Sequence, residues 1–563
     1  MSVSESLPER VREDIGTIKS SHYNDVNLLT ALDRTANALR NAHYRLLVGE
    51  MAIASALTQI LSRCVKDGET RHSAQVGRVV ANLVADCDPN RDLMVGAGYI
   101  SAVIEMLGSH PSLDCARPLV ASLLNLTMND HDAALNQLAD WTAITSLLEI
   151  GHENADDMLA QWSADITTKV VEKHSEALAK SVDSAVWDVL LRPMHCFIPP
   201  FKDDLAESTI FILRAACEIL ELLPIYVLRY PPIDVLTNFV ERGDVPKWDA
   251  DGEEDPAKLL SDAKEATITA LSEMASGLDE DNTLWEVMRA WLSLSDREDL
   301  TICALLCYGN YAQDNAKAES LVQGTNAIME DVLSLLIATT PAKVQHALFG
   351  MLRNLSISPS NKKYIGDHAV IERVVSMRPW VDERDLVGSV QGGAIGLIKN
   401  LCRDNGANAK RFLGTDQTSL LALMTRTDDQ ALRFEATRIY VNVIRSLSQQ
   451  GEVAKVNDQV IGYLSEMIRL GHQLPVLINE GIIALTLIST FTPAKASLVA
   501  AVLEDKKTGD GPDSALDVLR SLMQSSSEDT QGIRENCKVL AEQLTLLLSD
   551  NSAKPIISGL INA

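Results

Sequence analysis

The chain has 563 residues, of which 46% are hydrophobic and only 4% aromatic, and it carries a net charge of −27. A single hydrophobic core rarely extends beyond about 250–300 residues, so this length excludes one simple domain and predicts several domains or a stack of repeats. The aliphatic composition is typical of packed helices, and the mean hydropathy of +0.02 is that of a soluble globular protein. DNA and RNA are poor partners because the sequence shows no basic stripe to contact a phosphate backbone.

No segment of the sequence predicts membrane insertion, a metal site or a cofactor. The first residues, MSVSESLPER, lack the apolar core of a secretory signal, and the apolar run GIIALTLISTF from Gly481 is too short to cross a bilayer. The nine cysteines are scattered without CxxC pairs, so we expect them to be reduced and mostly buried. We therefore expect a cytoplasmic monomer that could also reach the nucleus or the membranes of prenylation and trafficking.

One helical pattern recurs along the chain and predicts its architecture. An asparagine near the end of an apolar helix returns at intervals of about 42–46 residues on either side of a long central gap; these residues are Asn82, Asn125, Asn310, Asn354, Asn400 and Asn442. This period is typical of HEAT and armadillo repeats. The predicted fold class is therefore all-α, an armadillo/HEAT-type superhelical solenoid of roughly ten repeats.

Composition divides this predicted solenoid into four segments. Residues 1–40 are expected to form N-terminal cap helices, 41–240 N-terminal armadillo-like repeats, and 301–563 C-terminal armadillo repeats. The intervening 241–300 is expected to be an irregular acidic segment with helices, since KWDADGEEDP from Lys247 is rich in acidic and turn-forming residues.

The stretch VQHALFGMLRNLSISPSNKK, from Val344 to Lys363, shows the repeating unit best. Leu348, Met351, Leu352 and Leu355 have the spacing of a buried helical stripe, and Ser358-Pro359 is expected to end the helix. A polar residue also follows four positions after most of the recurring asparagines, where its short side chain could cap the next helix; these residues are Asp86, Asn129, Asp314, Ser358 and Asp404.

The polar faces of these helices predict a binding groove. Stacking would place side by side the following residues: His346, Arg353 and Asn354 in one helix, Lys399, Asn400 and Arg403 in the next, and Arg438, Asn442 and Arg445 in a third. An asparagine amide can bind an extended backbone, but the alternative is that each asparagine only bonds a neighbouring repeat and holds the stack. A nuclear-import adaptor is disfavoured because no tryptophan lies one turn before any of the asparagines.

The C-terminal half resembles the smg GDS family, armadillo-repeat guanine nucleotide dissociation stimulators of small GTPases. Three stretches carry the resemblance: LLCYGNYAQDNAKAESLV from Leu305, the stretch from Val344, and GAIGLIKNLCRDN from Gly393. The resemblance implies a non-catalytic exchange factor and chaperone for Rho- and Ras-type GTPases that end in a basic tail and a prenylated cysteine. It further implies that the GTPase contacts Asn310, Arg353, Asn354, Asn400 and Arg403 on the concave face.

Two further expectations follow from the resemblance, and one alternative remains open. The net charge agrees with a polybasic partner, and Glu253, Glu254 and Asp255 are acidic candidates that could equally form a solvated loop. Leu83, Leu123 and Leu126 are candidates for a prenyl pocket, although ordinary core packing is the favoured interpretation for each. The alternative function is an armadillo scaffold or adaptor that binds extended peptides without exchange activity; an enzyme is not expected, because known catalytic signatures are missing.

Overall fold

The computed structural model describes residues 7–20, 26–223, 232–248, 255–294, 296–324, 327–337, 339–381, 388–448, 452–471, 473–507, 511–525, 528–549 and 553–560. Within these ranges the chain forms α-helices and short 3₁₀ turns, and no strand is found there. The chain divides into two compact units, Met1–Gly277 and Leu278–Ala563.

The first unit contains fifteen of the described helices. They are α1 Glu9–Ser20, α2 Leu28–Ala38, α3 Ala42–Glu50, α4 Ala54–Asp67, α5 Thr70–Val84, α6 Asp88–Gly96, α7 Tyr99–Leu107, α8 Leu113–Leu126, α9 Asp132–Leu138, α10 Trp141–Glu153, α11 Asp157–Ala179, α12 Ser184–Cys196, α13 Thr209–Leu222, α14 Ile233–Arg242 and α15 Pro256–Ala275. One row of successive contacts runs α2, α5, α8, α11, α13, α15, and a second runs α4, α7, α10, α12, α14. Short helices α3, α6 and α9 form a third row, so three repeats here have three helices each.

The second unit repeats this arrangement. Its helices are α16 Leu284–Leu292, α17 Glu298–Tyr311, α18 Asn315–Gln323, α19 Met329–Leu335, α20 Ala342–Leu355, α21 Pro359–Asp367, α22 Val370–Ser376, α23 Ser389–Cys402, α24 Gly406–Leu413, α25 Thr418–Arg426, α26 Gln430–Ser448, α27 Gln459–Leu470, α28 Pro475–Phe491, α29 Ala496–Glu504, α30 Ala515–Gln524, α31 Gln531–Leu547 and α32 Ala553–Ser558. The long helices α17, α20, α23, α26, α28 and α31 pack in one row, and α18, α21 and α24 in another. Each unit is therefore an all-α stack of armadillo-like repeats, which confirms the predicted fold class.

The predicted domain boundaries remain predictions, but two helices lie within the segment expected to be irregular. The acidic 241–300 contains α15, which packs on α13 as the last helix of the first unit's long row, and α16, which begins the second unit. Asp255 caps α15 by accepting a hydrogen bond from the Ala257 amide at 3.0 Å. Glu253 and Glu254 lie outside the described residues.

The helix in the stretch from Val344 is confirmed. Helix α20 ends at Leu355, and α21 begins at Pro359, whose fixed φ and missing N–H suit the first turn of a helix. The leucine and methionine stripe is buried, whereas His346 and Arg353 are exposed and Asn354 is half-buried. The periodicity predicted this result because the separation of buried and exposed faces is a local property of the helix.

The predicted capping role of the polar residues after the asparagines is largely wrong. Only Asp314 caps the next helix with its side chain, accepting a bond from the Lys317 amide at 2.9 Å. Asp86, Asn129 and Asp404 instead adopt positive φ, between 49° and 56°, in the turn after the helix. Short polar side chains tolerate this left-handed conformation better than most, so the sequence preference reflects the turn. The Ser358 hydroxyl donates to the Glu319 carboxylate at 2.7 Å.

The cysteines are free thiols, and seven of the nine are buried. Burial raises the pKa of Cys64 to about 11 and those of Cys115 and Cys537 to about 12. A thiol that resists ionisation is a weak nucleophile and a weak metal ligand. The buried cysteines are therefore small apolar core residues.

Candidate protein-docking groove

The recurring asparagines form a ladder of hydrogen bonds between successive repeats. In each bond the side-chain Nδ2 donates to a backbone carbonyl of the preceding long helix: Asn82 to Ala36, Asn125 to Ala81, Asn354 to Gly309, Asn400 to Arg353, and Asn442 to Lys399. The distances are 2.9 Å, except 3.2 Å for Asn400. The geometry is therefore that of the stack-holding alternative at these five positions.

The position of the acceptors explains why the asparagines recur at the repeat period. Each accepting carbonyl belongs to the last turn of its helix, as Gly309 does in α17 and Lys399 in α23. The last four carbonyls of an α-helix have no partner within the helix, and an unpaired buried carbonyl is costly. The asparagine of one repeat supplies the missing donor to the repeat before it. One N–H of each amide is thus used to hold the stack.

A second set of asparagines has a similar role and was missed by the sequence reasoning. Asn90, Asn361 and Asn408 are buried in α6, α21 and α24, and each Nδ2 donates twice. One bond from Asn408 goes to Leu401 in the last turn of α23 at 3.1 Å, and the other goes to Lys362 in α21 at 2.8 Å. The sequence signal that could have predicted this set is a further asparagine seven or eight residues after Asn82, Asn354 and Asn400.

Glycines make this second set possible. A Cβ added to Gly366 of α21 would lie 1.8 Å from Oδ1 of Asn408, and a Cβ on Gly49 of α3 would lie equally close to Oδ1 of Asn90. Such a contact is far inside van der Waals distance, so only glycine fits beside the asparagine. These helices therefore carry glycine in their last turn despite its poor helix propensity.

The structure brings the predicted groove residues together in the second unit. Asn310, His346, Arg353 and Asn354 line one depression of about 380 Å³ where α17, α20 and α23 meet. Glycines at its floor keep it open, and the Arg353 side chain crosses to α23, where its Cδ lies 2.9 Å from the Cβ position of Gly396. The imidazole of His346 lies 3.4 Å from the Ser389 carbonyl at the edge.

The remaining predicted residues line a second depression, between α23, α26 and α28. Its volume is about 160 Å³, and its walls hold Lys399, Asn400, Arg403, Arg438, Asn442, Arg445 and Glu480. A third depression of about 360 Å³ shares Arg403, Asn442 and Arg445 with it and adds Asp404, Ser448 and Leu487. We call the surface formed by these three depressions the docking groove. Arg445, which the sequence spacing also placed on this face, lines both the second and the third of these depressions.

Two cations of the docking groove are held by carboxylates. Lys399 bonds Glu435, and Arg438 bonds both Glu435 at 2.7 Å and Glu480 at 2.7 and 3.0 Å. Burial disfavours the Glu435 carboxylate, but hydrogen bonds from Lys399 and Arg438 outweigh it and lower the pKa of Glu435. Hydrogen bonding to Glu480 likewise raises the pKa of Arg438 against the effect of burial. This network connects α23, α26 and α28, so Lys399 and Arg438 brace the groove as well as lining it.

Three arginines of the docking groove are exposed instead. The side chains of Arg353 and Arg445 form no hydrogen bond or ion pair with any described residue. The Arg403 side chain has only Asp404 at 3.7 Å, with the two side chains 68% and 85% exposed. An ion pair this exposed and this long contributes little to the stability of the fold. The groove thus presents free guanidinium groups although the whole chain is strongly acidic.

The three leucines suggested for a prenyl pocket lie in the core of the first unit. Leu83 of α5 and Leu123 and Leu126 of α8 are at most 1% exposed, and α5 packs closely on α8. Gly77 of α5 lies so near α8 that a Cβ there would be 2.9 Å from the Pro118 carbonyl carbon. Their observed role is packing, and a prenyl pocket at this place stays a prediction.

An acidic cluster lies in the first unit on α13 and α15. Burial, and then the carboxylates of Glu218, Glu265 and Glu273, raise the pKa of Glu221. Mutual repulsion of this kind indicates that four carboxylates share one surface without enough cations to balance them. Arg214 bonds Glu218 at 2.9 Å and neutralises part of that charge.

No helix among the described residues is long and apolar enough to cross a membrane. Nor do those residues contain a group of three or more His, Cys, Asp or Glu side chains that could hold a metal ion.

The fold and groove define the class of protein: an armadillo-like helical scaffold. Residues 12–188 match the sequence model of the BEM4 N-terminal domain, described as BEM4-like. The N-terminal part of the chain is thus similar to that domain; the match covers less than a third of the chain and ends before the docking groove. No curated protein matches the sequence.

Two solved structures show only a distant likeness. A crystal structure of an engineered protein is 14% identical, with a TM-score of 0.38, and covers 95% of this chain and 99% of that one. A structure from a study of a phosphorylation switch in the cadherin and beta-catenin interaction is 14% identical, with a TM-score of 0.39, covering 99% and 98%. Such scores add nothing to the architecture described above. The resemblance to the smg GDS family rests on the residues of the second unit quoted above.

Proposed function

We propose that the chain is a non-catalytic regulator of small GTPases of the Rho or Ras type, acting as an exchange factor and chaperone through its docking groove. One observation carries the proposal. The residues that match the contact positions of the smg GDS family lie side by side on α17, α20 and α23, and border two open depressions. The ladder and the Glu435 network hold these helices in register, so the groove is rigid before a partner arrives. Preorganisation lowers the entropic cost of binding.

Exchange on such a scaffold needs no catalytic side chain. Groups that bind the nucleotide-free GTPase more tightly than the nucleotide-bound form shift the equilibrium toward nucleotide release. The exposed Arg353 and Arg403 can pair with carboxylates of a GTPase that would otherwise organise its Mg²⁺ and nucleotide. The acidic cluster on α13 and α15 offers a complementary surface for the basic tail of the same GTPase.

The test is the release of labelled GDP from Rho- and Ras-type GTPases, each with and without its basic tail. We expect release to be abolished by Arg353→Glu with Arg403→Glu, and to be unaffected by Lys343→Glu, a charge reversal at the exposed start of α20. The double variant should keep its melting temperature because neither arginine holds the fold. Absence of both release and binding with every GTPase tested would overturn the proposal.

The acidic cluster provides a second arm for this experiment. Glu221→Gln with Glu265→Gln should weaken binding of a GTPase that has its basic tail and leave the tail-less GTPase unchanged. Equal losses for both forms would contradict a role of these glutamates in recognising the tail. The variant removes charge without removing a structural partner, since both side chains are exposed.

A second candidate function is an armadillo scaffold that binds extended peptides without exchange activity. This function requires no prenyl pocket, and it agrees with the packing of Leu83, Leu123 and Leu126 in the core of the first unit. Partners that bind equally well in every nucleotide state, or that are not GTPases, would support this function over the first.

A further inference from the structure

The most informative feature of the docking groove is the pair of arginines at its α23 and α26 wall. Arg403 and Arg445 each follow a ladder asparagine by three residues, so they occupy equivalent positions in successive repeats. Both line the same two depressions. Arg403 directly follows α23 as its C-cap residue and Arg445 lies in α26, so the two guanidinium groups belong to neighbouring repeats.

These guanidinium groups are not used by the fold. Lys399 pairs with Glu435, and Arg438 pairs with both Glu435 and Glu480, so these two carboxylates are already engaged by other cations. Arg445 has no carboxylate partner among the described residues. The ion pair between Arg403 and Asp404 is long, at 3.7 Å, and both of its side chains are exposed. A chain with 77 acidic and 50 basic residues could have neutralised both arginines locally. The positive charge is instead left facing an open depression of about 360 Å³.

The general distance between neighbouring helices sets the length scale of a ligand that reaches both arginines. Helices packed side by side lie about 8–10 Å apart. In a polyproline II segment, residues i and i+3 point to the same side and are separated by about 9 Å. An extended segment that crosses α23 and α26 can therefore direct carboxylates at i and i+3 to the two arginines. Arg–carboxylate pairs form two parallel hydrogen bonds each, which adds geometric selectivity to the charge.

We propose that Arg403 and Arg445 form an anion-binding pair that takes an extended acidic segment of a partner protein, with carboxylates spaced at i and i+3. Leu487 in the same depression supplies a small apolar contact beside the acidic residues. The pair does not require the partner to be a GTPase. If the partner is one, the pair specifies that the segment seated here is acidic, whereas the basic tail binds elsewhere.

The test uses fluorescein-labelled 12-residue peptides and the full chain, with anisotropy as the readout. One peptide carries glutamates at i and i+3, a second of equal composition carries them at i and i+1, and a third has lysine in their place. We expect the i, i+3 peptide to bind best and the lysine peptide not to bind. Added salt should weaken binding, because exposed ion pairs are screened.

Arginine variants identify where the peptide binds. Arg403→Ala and Arg445→Ala should each weaken it about three- to fivefold, which is the usual effect of an exposed charge pair, and the double variant about tenfold or more. Lys343→Ala, a cation at the far end of α20, should have no effect. Because neither arginine has a structural partner, the variants should keep the wild-type melting temperature.

Three results would overturn the proposal. They are absence of binding by both glutamate peptides, binding that neither arginine variant weakens, and binding seen only when phosphoserine replaces glutamate. The last result would assign the pair to phosphate rather than carboxylate. None of these results depends on GDP release, so the anion-binding pair and the GTPase proposal can fail separately.

Discussion

Replacing Asn442 by alanine tests the physical account of the ladder most simply. The change removes the 2.9 Å hydrogen bond from Nδ2 to the Lys399 carbonyl and leaves that carbonyl, in the last turn of α23, without its donor. It alters no charge and adds no bulk. The Lys399 side chain keeps its own bond to Glu435, so the loss is confined to the backbone acceptor.

The expected loss of stability is about 1–2 kcal/mol. Leaving a partly buried carbonyl unpaired costs about 1–3 kcal/mol. Alanine is the better helix former, and its propensity offsets about 0.5 kcal/mol of that loss. In a repeat protein the loss falls on one interface between neighbours, here the one between α23 and α26. Asn442→Asp should cost more, since it places a carboxylate oxygen against the carbonyl oxygen.

The suitable assay is native-state hydrogen exchange of peptides from α23 and α26. Two compact units need not unfold together, so a single melting curve would not isolate this interface. A loss of 1–2 kcal/mol corresponds to about 5- to 30-fold faster exchange by local opening. The matched control is Arg445→Ala, one turn further along α26, which should change exchange little.

The reasoning would be refuted if Asn442→Ala and Arg445→Ala had the same effect on exchange. It would also be refuted if Asn442→Asp were as stable as the wild type. Either result would mean that the asparagine is not needed to hold the stack, and that its recurrence reflects contacts with a partner alone.

Other variants test the remaining elements of the structure. Gly366→Ala should destabilise the second unit by about 2 kcal/mol, because the added Cβ would displace Asn408 and break its two hydrogen bonds. The control Gly462→Ala, in α27 where no atom lies near the added Cβ, should be neutral or stabilising. Urea denaturation compares the two variants. The pKa of Glu435 is lower in the folded protein than its ordinary value near 4.5, so the ionised carboxylate should stabilise the fold above that pH, and this stabilisation should be lost as the pH falls below it. Glu435→Gln should reduce this sensitivity to acid. The measurement is hydrogen exchange of α23 and α26, or melting temperature, as a function of pH. Thiol titration of the native protein at pH 8 should label Cys87 and Cys196, which are half-buried, before any of the seven buried cysteines, and equal labelling of all nine would contradict the burial described here.

Local patterns in the sequence predicted the helices better than they predicted the hydrogen bonds between helices. The stripe from Leu348 to Leu355 and the break at Ser358-Pro359 are confirmed because spacing along one helix determines both. The repeat period was also readable, since the same carbonyl-capping asparagine is needed once in each repeat. The hydrogen-bond acceptors of the asparagines could not be predicted from the sequence, because each acceptor lies 43 to 47 residues away on another helix.

The same limit applies to the docking groove. Sequence spacing placed Lys399, Arg403 and Arg438 on one face, and the structure brings them to one depression. The acids that engage Lys399 and Arg438 are 36 and 42 residues distant, so the sequence did not distinguish the bracing cations from the exposed ones. Spacing also placed Arg445 on this face, but only the structure shows that its side chain has no carboxylate partner among the described residues.

The central claim, that the docking groove binds a small GTPase as an exchange factor does, is tested most directly by one titration. The full chain is titrated with a Rho-type GTPase in the nucleotide-free and in the GTP-loaded state, and the affinities are measured by calorimetry for the wild type and for Arg353→Glu with Arg403→Glu. We predict much tighter binding of the nucleotide-free state, lost in the double variant. Equal affinity for both states, or tight binding that survives the double charge reversal, would contradict the account.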